Sequence, residues 1–184
     1  MMLSTATNES VAVDAASSRA ELELRFDELL SQHGAALTRL AGSYTNSVSD
    51  RDDLMQEIAI AIWQALPRFR GECSERTFLF RIAHNRSISF LSRGRARTQN
   101  SADEIDVPDI RANQEAGLVR SQEQDRLLNA VRSLPLLYKQ VVTLMLEGLD
   151  YSETAQILGI SESNVGARLS RARQMLRELL EGLR

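Results

Sequence analysis

Between Ser161 and Leu180 the sequence reads SESNVGARLSRARQMLRELL, a pattern that suits an amphipathic helix and little else. At about 100° per residue, Val165, Leu169, Ala172, Leu176 and Leu179 share one arc roughly 100° wide. Asn164, Arg168 and Arg171 gather on another edge, with Ser163 and Ala167 beside them. The apolar arc can dock on a domain while the other edge offers guanidinium forks and an amide, groups suited to base edges and phosphates. Immediately upstream, YSETAQILGI supplies a short helix and a Gly-containing turn. Tyr151 to Leu180 therefore has the form of a helix-turn-helix with Ser161 as N-cap.

A chain of 184 residues accommodates one domain or two small ones, and 43% hydrophobic residues with three prolines permits two modest cores. No run of about 18 apolar residues is present, so no membrane insertion is expected. The N-terminal segment has neither a basic start nor a continuous apolar stretch, which argues against a signal peptide. These features predict a cytoplasmic protein. Residues 1–18 are small and polar and are expected to be disordered. The lone Cys73 excludes an internal disulfide framework.

The net charge of −3 conceals strong local segregation. Residues 68–97 hold eight arginines against Glu72 and Glu75, and Arg168 to Arg177 holds four arginines and no acid. The acids concentrate at Asp50, Asp52, Asp53 and Glu57, and again at Asp103, Glu104, Asp106 and Asp109. Two basic faces on an acidic chain imply local phosphate contact with weak non-specific affinity, as suits a protein brought to DNA by a partner.

Periodicity predicts helices over 19–44, 49–66, 74–92, 118–132, 135–147, 151–158 and 162–180, with no alternating strand pattern. Ser49, followed by Asp52 and Asp53, resembles an N-cap with an acidic first turn, and Ser74 can cap the next helix. Pro67 is placed to close the second helix, and Pro135 to open the fifth. The fold class is all-α: two small helical domains, 19–97 and 118–184, joined by a flexible acidic linker, 98–117. A relaxed coil of that length spans about 25 Å and an extended one roughly 70 Å, so the domains can be close or distant.

In the helix from Ser74 to Ser92, Phe78, Leu79, Ile82, Ala83 and Phe90 fall on one arc and are expected to face the core. Arg76, Thr77, Phe80, Arg81 and His84 fall on the other. An aromatic among arginines suits a stacked, unpaired base; the alternative is a solvated basic face with Phe80 buried against another helix. The loop PRFRGECSE precedes it and suits either a pocket for one extruded base or a plain turn. In the helix SDRDDLMQEIAIAIWQAL, Leu54, Ile58, Ala61, Ile62 and Ala65 form the apolar face. Asp53, Gln56 and Glu57 are expected to be exposed, without basic neighbours. Trp63 reads as packing. His33 and His84 lack metal-ligand spacing, no phosphate-binding glycine loop is present, and no catalytic residue, metal or cofactor is expected.

Together, DLMQEIAIAIWQALPRFRGECSERTFLFRIAHNRSISFLSR and LPLLYKQVVTLMLEGLDYSETAQILGISESNVGARLSRARQML resemble bacterial sigma factors of the extracytoplasmic-function group. The resemblance covers about residues 20–95 and 120–180, in the family's order and with an acidic linker between. It implies that 19–97 binds the clamp of core RNA polymerase and melts and reads the −10 element, and that 118–184 reads the −35 element of promoter DNA. By position, Asp53, Gln56 and Glu57 match the clamp-binding segment. Phe69, Arg70, Gly71, Glu72, Cys73 and Ser74 match the loop that holds a flipped −10 base. Arg76, Thr77, Phe80, Arg81, His84 and Asn85 match the helix beside the melted strand, and Ser163, Asn164, Arg168 and Arg171 match the −35 reader.

Phe78 and Phe80 stand where the family often has tryptophan and tyrosine. His84 stands where arginine is common, which implies a weaker or pH-dependent phosphate contact. With no further domain after Arg184, control by a separate anti-sigma protein is expected. Two other readings of the residues are a stand-alone helix-turn-helix regulator, which predicts tight duplex binding without polymerase, and a sigma-factor mimic, which predicts none. The acidic linker and two basic faces further predict a closed free protein that opens on polymerase.

Overall fold

The computed structural model describes residues 5–100 and 120–181, with side chains over 18–94 and 123–181. Among these residues all regular structure is helical. The helices are α1 (Thr5–Tyr44), α2 (Val48–Ala65), α3 (Glu75–Asn100), α4 (Arg120–Ser133), α5 (Leu136–Leu146), α6 (Tyr151–Leu158) and α7 (Glu162–Glu181), and a 3₁₀ turn, Leu66–Arg68, follows α2. All seven expected helices are present. Most of the acidic linker, residues 101–119, lies outside the described residues.

Three boundaries differ from expectation. Residues 5–18 are helical, although disorder was expected there. Packing fixes the later part of α1, and extending a helix through a segment without Gly or Pro needs no new nucleus. Ser47, and not Ser49, caps α2: its backbone is extended (φ −123°, ψ 160°) and its hydroxyl accepts from the Asp50 amide. The first-turn acid is accordingly Asp50. Finally, α3 runs to Asn100, past the expected domain end at residue 97. Ser74 does cap α3, accepting from the Thr77 amide at 3.0 Å.

In the N-terminal half, α1, α2 and α3 pack around Leu37, Leu40, Leu54, Ile58, Ile62 and Leu79, all fully buried. Trp63 packs edge-on against Phe26, with ring centroids 5.3 Å apart. In the C-terminal half, Val131, Val141, Val142, Val165, Leu169 and Ala172 form a second core. Leu176 and Leu179 extend the α7 stripe at its margin.

The two halves are closed on one another. Helices α4 and α5 lean on α1, and α6 packs on α3. Leu144, Leu149 and Ile157 from the C-terminal half join the N-terminal core, beside Phe80. This corrects the expected solvent face of α3: Phe80 is fully buried, and Thr77 and His84 are buried with it. Phe80 meets apolar side chains instead of water, because Leu144, Leu149 and Ile157 come from the other half of the chain. A wheel records period, not partner.

Polar contacts accompany the closure. Arg39 and Glu147 make a two-pronged ion pair at 2.6 and 3.0 Å. Arg132 donates to the Gly42 carbonyl at 2.9 Å, and the Ser43 and Thr143 hydroxyls share a buried hydrogen bond of 3.1 Å. The Tyr44 hydroxyl faces Thr143 without forming a good hydrogen bond, and burial pushes its pKa up. His84 Nδ1 is also buried without a partner. Each apolar side chain buried at the junction contributes about 1.5–3 kcal/mol, and each orphaned polar atom costs about 1–3 kcal/mol. The two orphaned atoms therefore offset part of the apolar gain.

Burial holds His84 near a pKa of about 4, against its ordinary 6.5. The packed imidazole is neutral, whereas an opened chain takes up the proton as pH falls through 6.5. The packed form should therefore lose stability between about pH 6.5 and 4, by about 3 kcal/mol at the acid end, with no loss from this group above 6.5. Thermal unfolding across this range should show the slope, and His84→Gln should flatten it. An unchanged slope in the variant would assign the effect to other groups.

Candidate nucleic-acid interface

The helix-turn-helix is built from local signals. Asp150 caps α6 by accepting from the Glu153 amide at 2.8 Å, and the Glu153 carboxylate accepts from the Asp150 amide at 2.9 Å. Gly159 closes α6 in the left-handed region (φ 65°), where a Cβ would be strained. Two residues later the Ser161 hydroxyl accepts from the Asn164 amide at 3.3 Å, the expected N-cap of α7. The chain turns sharply there, and Val165, Leu169 and Ala172 are driven into the core.

That docking leaves the other edge of α7 outward. Ser163, Asn164 and Arg171 are exposed and Arg168 is half-buried. Arg168 Nε donates to Asn164 Oδ1 at 2.9 Å, which holds the guanidinium along the helix before any ligand arrives. Prior ordering of a long side chain lowers the entropy lost on binding. The four residues read together in sequence are thus brought together in space.

The second group lies on α3 and the loop before it. Phe69, Arg70, Glu72, Cys73 and Arg81 line a concavity of about 480 Å³, closed below by Phe78. Phe69 and Phe78 stack with centroids 4.4 Å apart, giving an aromatic floor. Arg81 Nη2 sits 3.9 Å from Cys73 Sγ. Gly71 and Ser74 are exposed on the loop, and Asn85 is exposed further along α3. Arg76, Thr77, Phe80 and His84 do not join this open surface. Arg76 donates to the Glu147 carbonyl of the α5–α6 turn and stacks over the Phe80 ring at 5.9 Å. Phe80 shares a core with Leu144, Leu149 and Ile157, and the buried His84 meets Tyr44 of α1 edge-on at 6.4 Å.

The third group is on α2. Asp53 and Gln56 are exposed, while Glu57 is bound by Arg93 of α3, whose Nη2 lies 2.6 Å from both carboxylate oxygens. This corrects the expectation of an acidic face without basic neighbours. The partner is 36 residues away in sequence and reaches Glu57 only because α2 and α3 pack side by side. Ile60 is 57% exposed one turn beyond Gln56 and adds an apolar element to the same edge.

Arg39, Gly42, Arg132 and Glu147, which hold the halves together, carry no local signal in the sequence. Each meets a partner 71 to 108 residues away, so no local spacing could mark them.

Two family models match this chain: Sigma-70 region 2 over residues 29–98, and Sigma-70 region 4 over residues 124–176. The RNA polymerase sigma factor NccH of Alcaligenes xylosoxydans xylosoxydans is 30% identical over 165 residues, covering 85% of this chain and 87% of NccH. The structure of CnrH in complex with the cytosolic domain of CnrY superposes with a TM-score of 0.66 at 27% identity, covering 91% and 95% of the two chains. The sigma factor RpoE of Bartonella quintana, in complex with the anti-sigma factor NepR, superposes with a TM-score of 0.68 at 25% identity, covering 85% and 97%. The region 2 match contains the α2 edge, the aromatic-floored loop and α3, and the region 4 match contains the helix-turn-helix. The chain belongs to the extracytoplasmic-function group of RNA polymerase sigma factors, which bind core polymerase and direct promoter-specific initiation.

Proposed function

We propose that the three residue groups divide the work of initiation. Asp53, Gln56 and Glu57 on α2 dock on core polymerase. Ser163, Asn164, Arg168 and Arg171 on α7 read duplex DNA at −35. The 69–74 loop accepts one extruded −10 base over the Phe69–Phe78 floor. Arg76, Thr77, Phe80, Arg81, His84 and Asn85 hold the melted strand. The observation that carries this reading is the pairing of an outward Asn/Arg edge on one half with an aromatic-floored basic concavity on the other. The chain itself performs no chemistry. It works in the cytoplasm, where polymerase and promoter DNA are, under the control of an anti-sigma protein.

The closed arrangement adds a requirement. The α7 edge is available as it stands, whereas half of the −10 surface is covered by α6 and the α5–α6 turn. In this family the two promoter elements lie about one and a half duplex turns apart, roughly 50 Å at about 34 Å per turn. Polymerase therefore has to separate the halves, both to uncover α3 and to span the elements.

Asp53→Lys should weaken association with core polymerase in a pull-down while leaving helicity intact, since Asp53 is exposed and lies opposite the buried face of α2. Undiminished capture would remove α2 from the polymerase contact. Glu57 is a poorer probe, because reversing its charge would also repel Arg93.

Arg168→Ala and Arg171→Ala should each reduce promoter use, with about 1–3 kcal/mol lost wherever a bidentate base contact is removed. Normal transcription by both variants would show that the reading edge of α7 lies elsewhere.

Phe80 needs a conservative probe, because alanine would open a cavity in a filled core. Phe80→Leu keeps the site apolar but removes the stacking ring. Open-complex formation should suffer on duplex promoters more than on a template already mismatched at −10. Equal loss on both would indicate a packing defect.

A further inference from the structure

The α5–α6 turn meets α3 through the groups that the proposed −10 surface would use. Glu147 caps the C-terminus of α5, and its backbone carbonyl accepts from Arg76, which lies over Phe80. Its carboxylate is almost fully buried, at 6% exposed, and is gripped by Arg39 of α1 through Nε and Nη2. That pairing holds the Arg39 guanidinium above its usual pKa. Gly148 follows in the left-handed region at φ 78°, and a Cβ there would stand 3.3 Å from Arg76 Nη2. Leu149 then enters the core that contains Phe80. The turn thus presents an oxygen acceptor to Arg76 and an apolar side chain to the core around Phe80, the two kinds of contact that a phosphate and a base would make.

We infer that the Glu147–Leu149 turn is an intramolecular competitor for single-stranded DNA, and that the Arg39–Glu147 pair is the latch holding it on α3. This rests on the −10 assignment made above and adds the regulation of that surface. Competition is reciprocal: a strand that binds Arg76 and Phe80 must displace the turn, and whatever loosens the turn must raise affinity for the strand. Arg39 is the informative position, because it lies on α1 outside every proposed DNA contact. Its side chain is 64% exposed, so its removal leaves no cavity. The cost falls on Glu147, whose buried carboxylate loses both charged hydrogen bonds and is better accommodated in water.

The test uses the full chain with two readouts. Fluorescent labels at Ser31 and Gln174, both exposed, report the spacing of the halves in a Cys73→Ser background. Anisotropy with a single-stranded oligonucleotide carrying the −10 sequence of a responsive promoter reports strand affinity with Cys73 intact. Arg39→Ala should lengthen the label spacing without polymerase and tighten oligonucleotide binding by roughly tenfold, through a larger competent fraction. Gly148→Ala, which disturbs the turn from the other side, should do the same. Binding of −35 duplex should be unchanged in both variants, which also shows that the helix-turn-helix remains folded. Unchanged label spacing in both variants would overturn the latch. Lengthened spacing without tighter strand binding would leave the latch standing and overturn the competition, together with the assignment of Arg76 and Phe80 to the −10 strand.

Discussion

Packing of α3 against α6, with Phe80 and Ala83 buried and Arg76 held by the α5–α6 turn, is the constraint that sets the rest of the arrangement. It fixes α6 on α3, and α6 is half of the helix-turn-helix, so the orientation of α7 follows. It brings α4 and α5 against α1, where Arg39, Gly42 and Ser43 meet Glu147, Arg132 and Thr143. It also covers Phe80 and engages Arg76, two of the residues proposed to hold the melted strand. On the proposed assignment, the contact that closes the two halves is therefore the one that strand capture has to break.

The energetics suit a contact of that kind. Apolar burial by Leu144, Leu149, Ile157 and Phe80 favours closure, while the orphaned Tyr44 hydroxyl and His84 Nδ1 oppose it. A junction with every polar group satisfied would be difficult to open, and one without an apolar centre would not close. CnrH and RpoE, to which this chain is similar, were each solved with a second protein, CnrY and NepR respectively. Both superpositions span most of the chain and therefore include both halves.

The three groups differ in how far they are prepared for a ligand. On α7, Arg168 is already held by Asn164 and the edge is open. On the 69–74 loop, the concavity and its Phe69–Phe78 floor exist in the closed state. Along α3, Arg76 and Phe80 are ordered but covered. On the proposed assignments, the duplex-reading edge is open while part of the strand-holding surface is covered, an order that suits a promoter located before it is melted.

The sequence by itself determined the seven helices apart from the starts of α1 and α2 and the end of α3, the starts of α3, α5 and α7 at Ser74, Pro135 and Ser161, the apolar stripes of α2 and α7, and the outward edge of Asn164, Arg168 and Arg171. These are short-range matters: a 3.6-residue period, a hydroxyl three residues from an amide, and a glycine where φ is positive. It also left both fates of Phe80 open, because a wheel separates two faces without saying what each one meets. Only the tertiary structure decided that Phe80, Thr77 and His84 are buried, that Glu57 is held by Arg93, and that Glu147 joins α1 to α3. Those outcomes depend on contacts between residues 36 to 108 positions apart, or on helices from opposite halves of the chain. Charge and periodicity are properties of a segment, whereas burial is a property of what the segment is packed against.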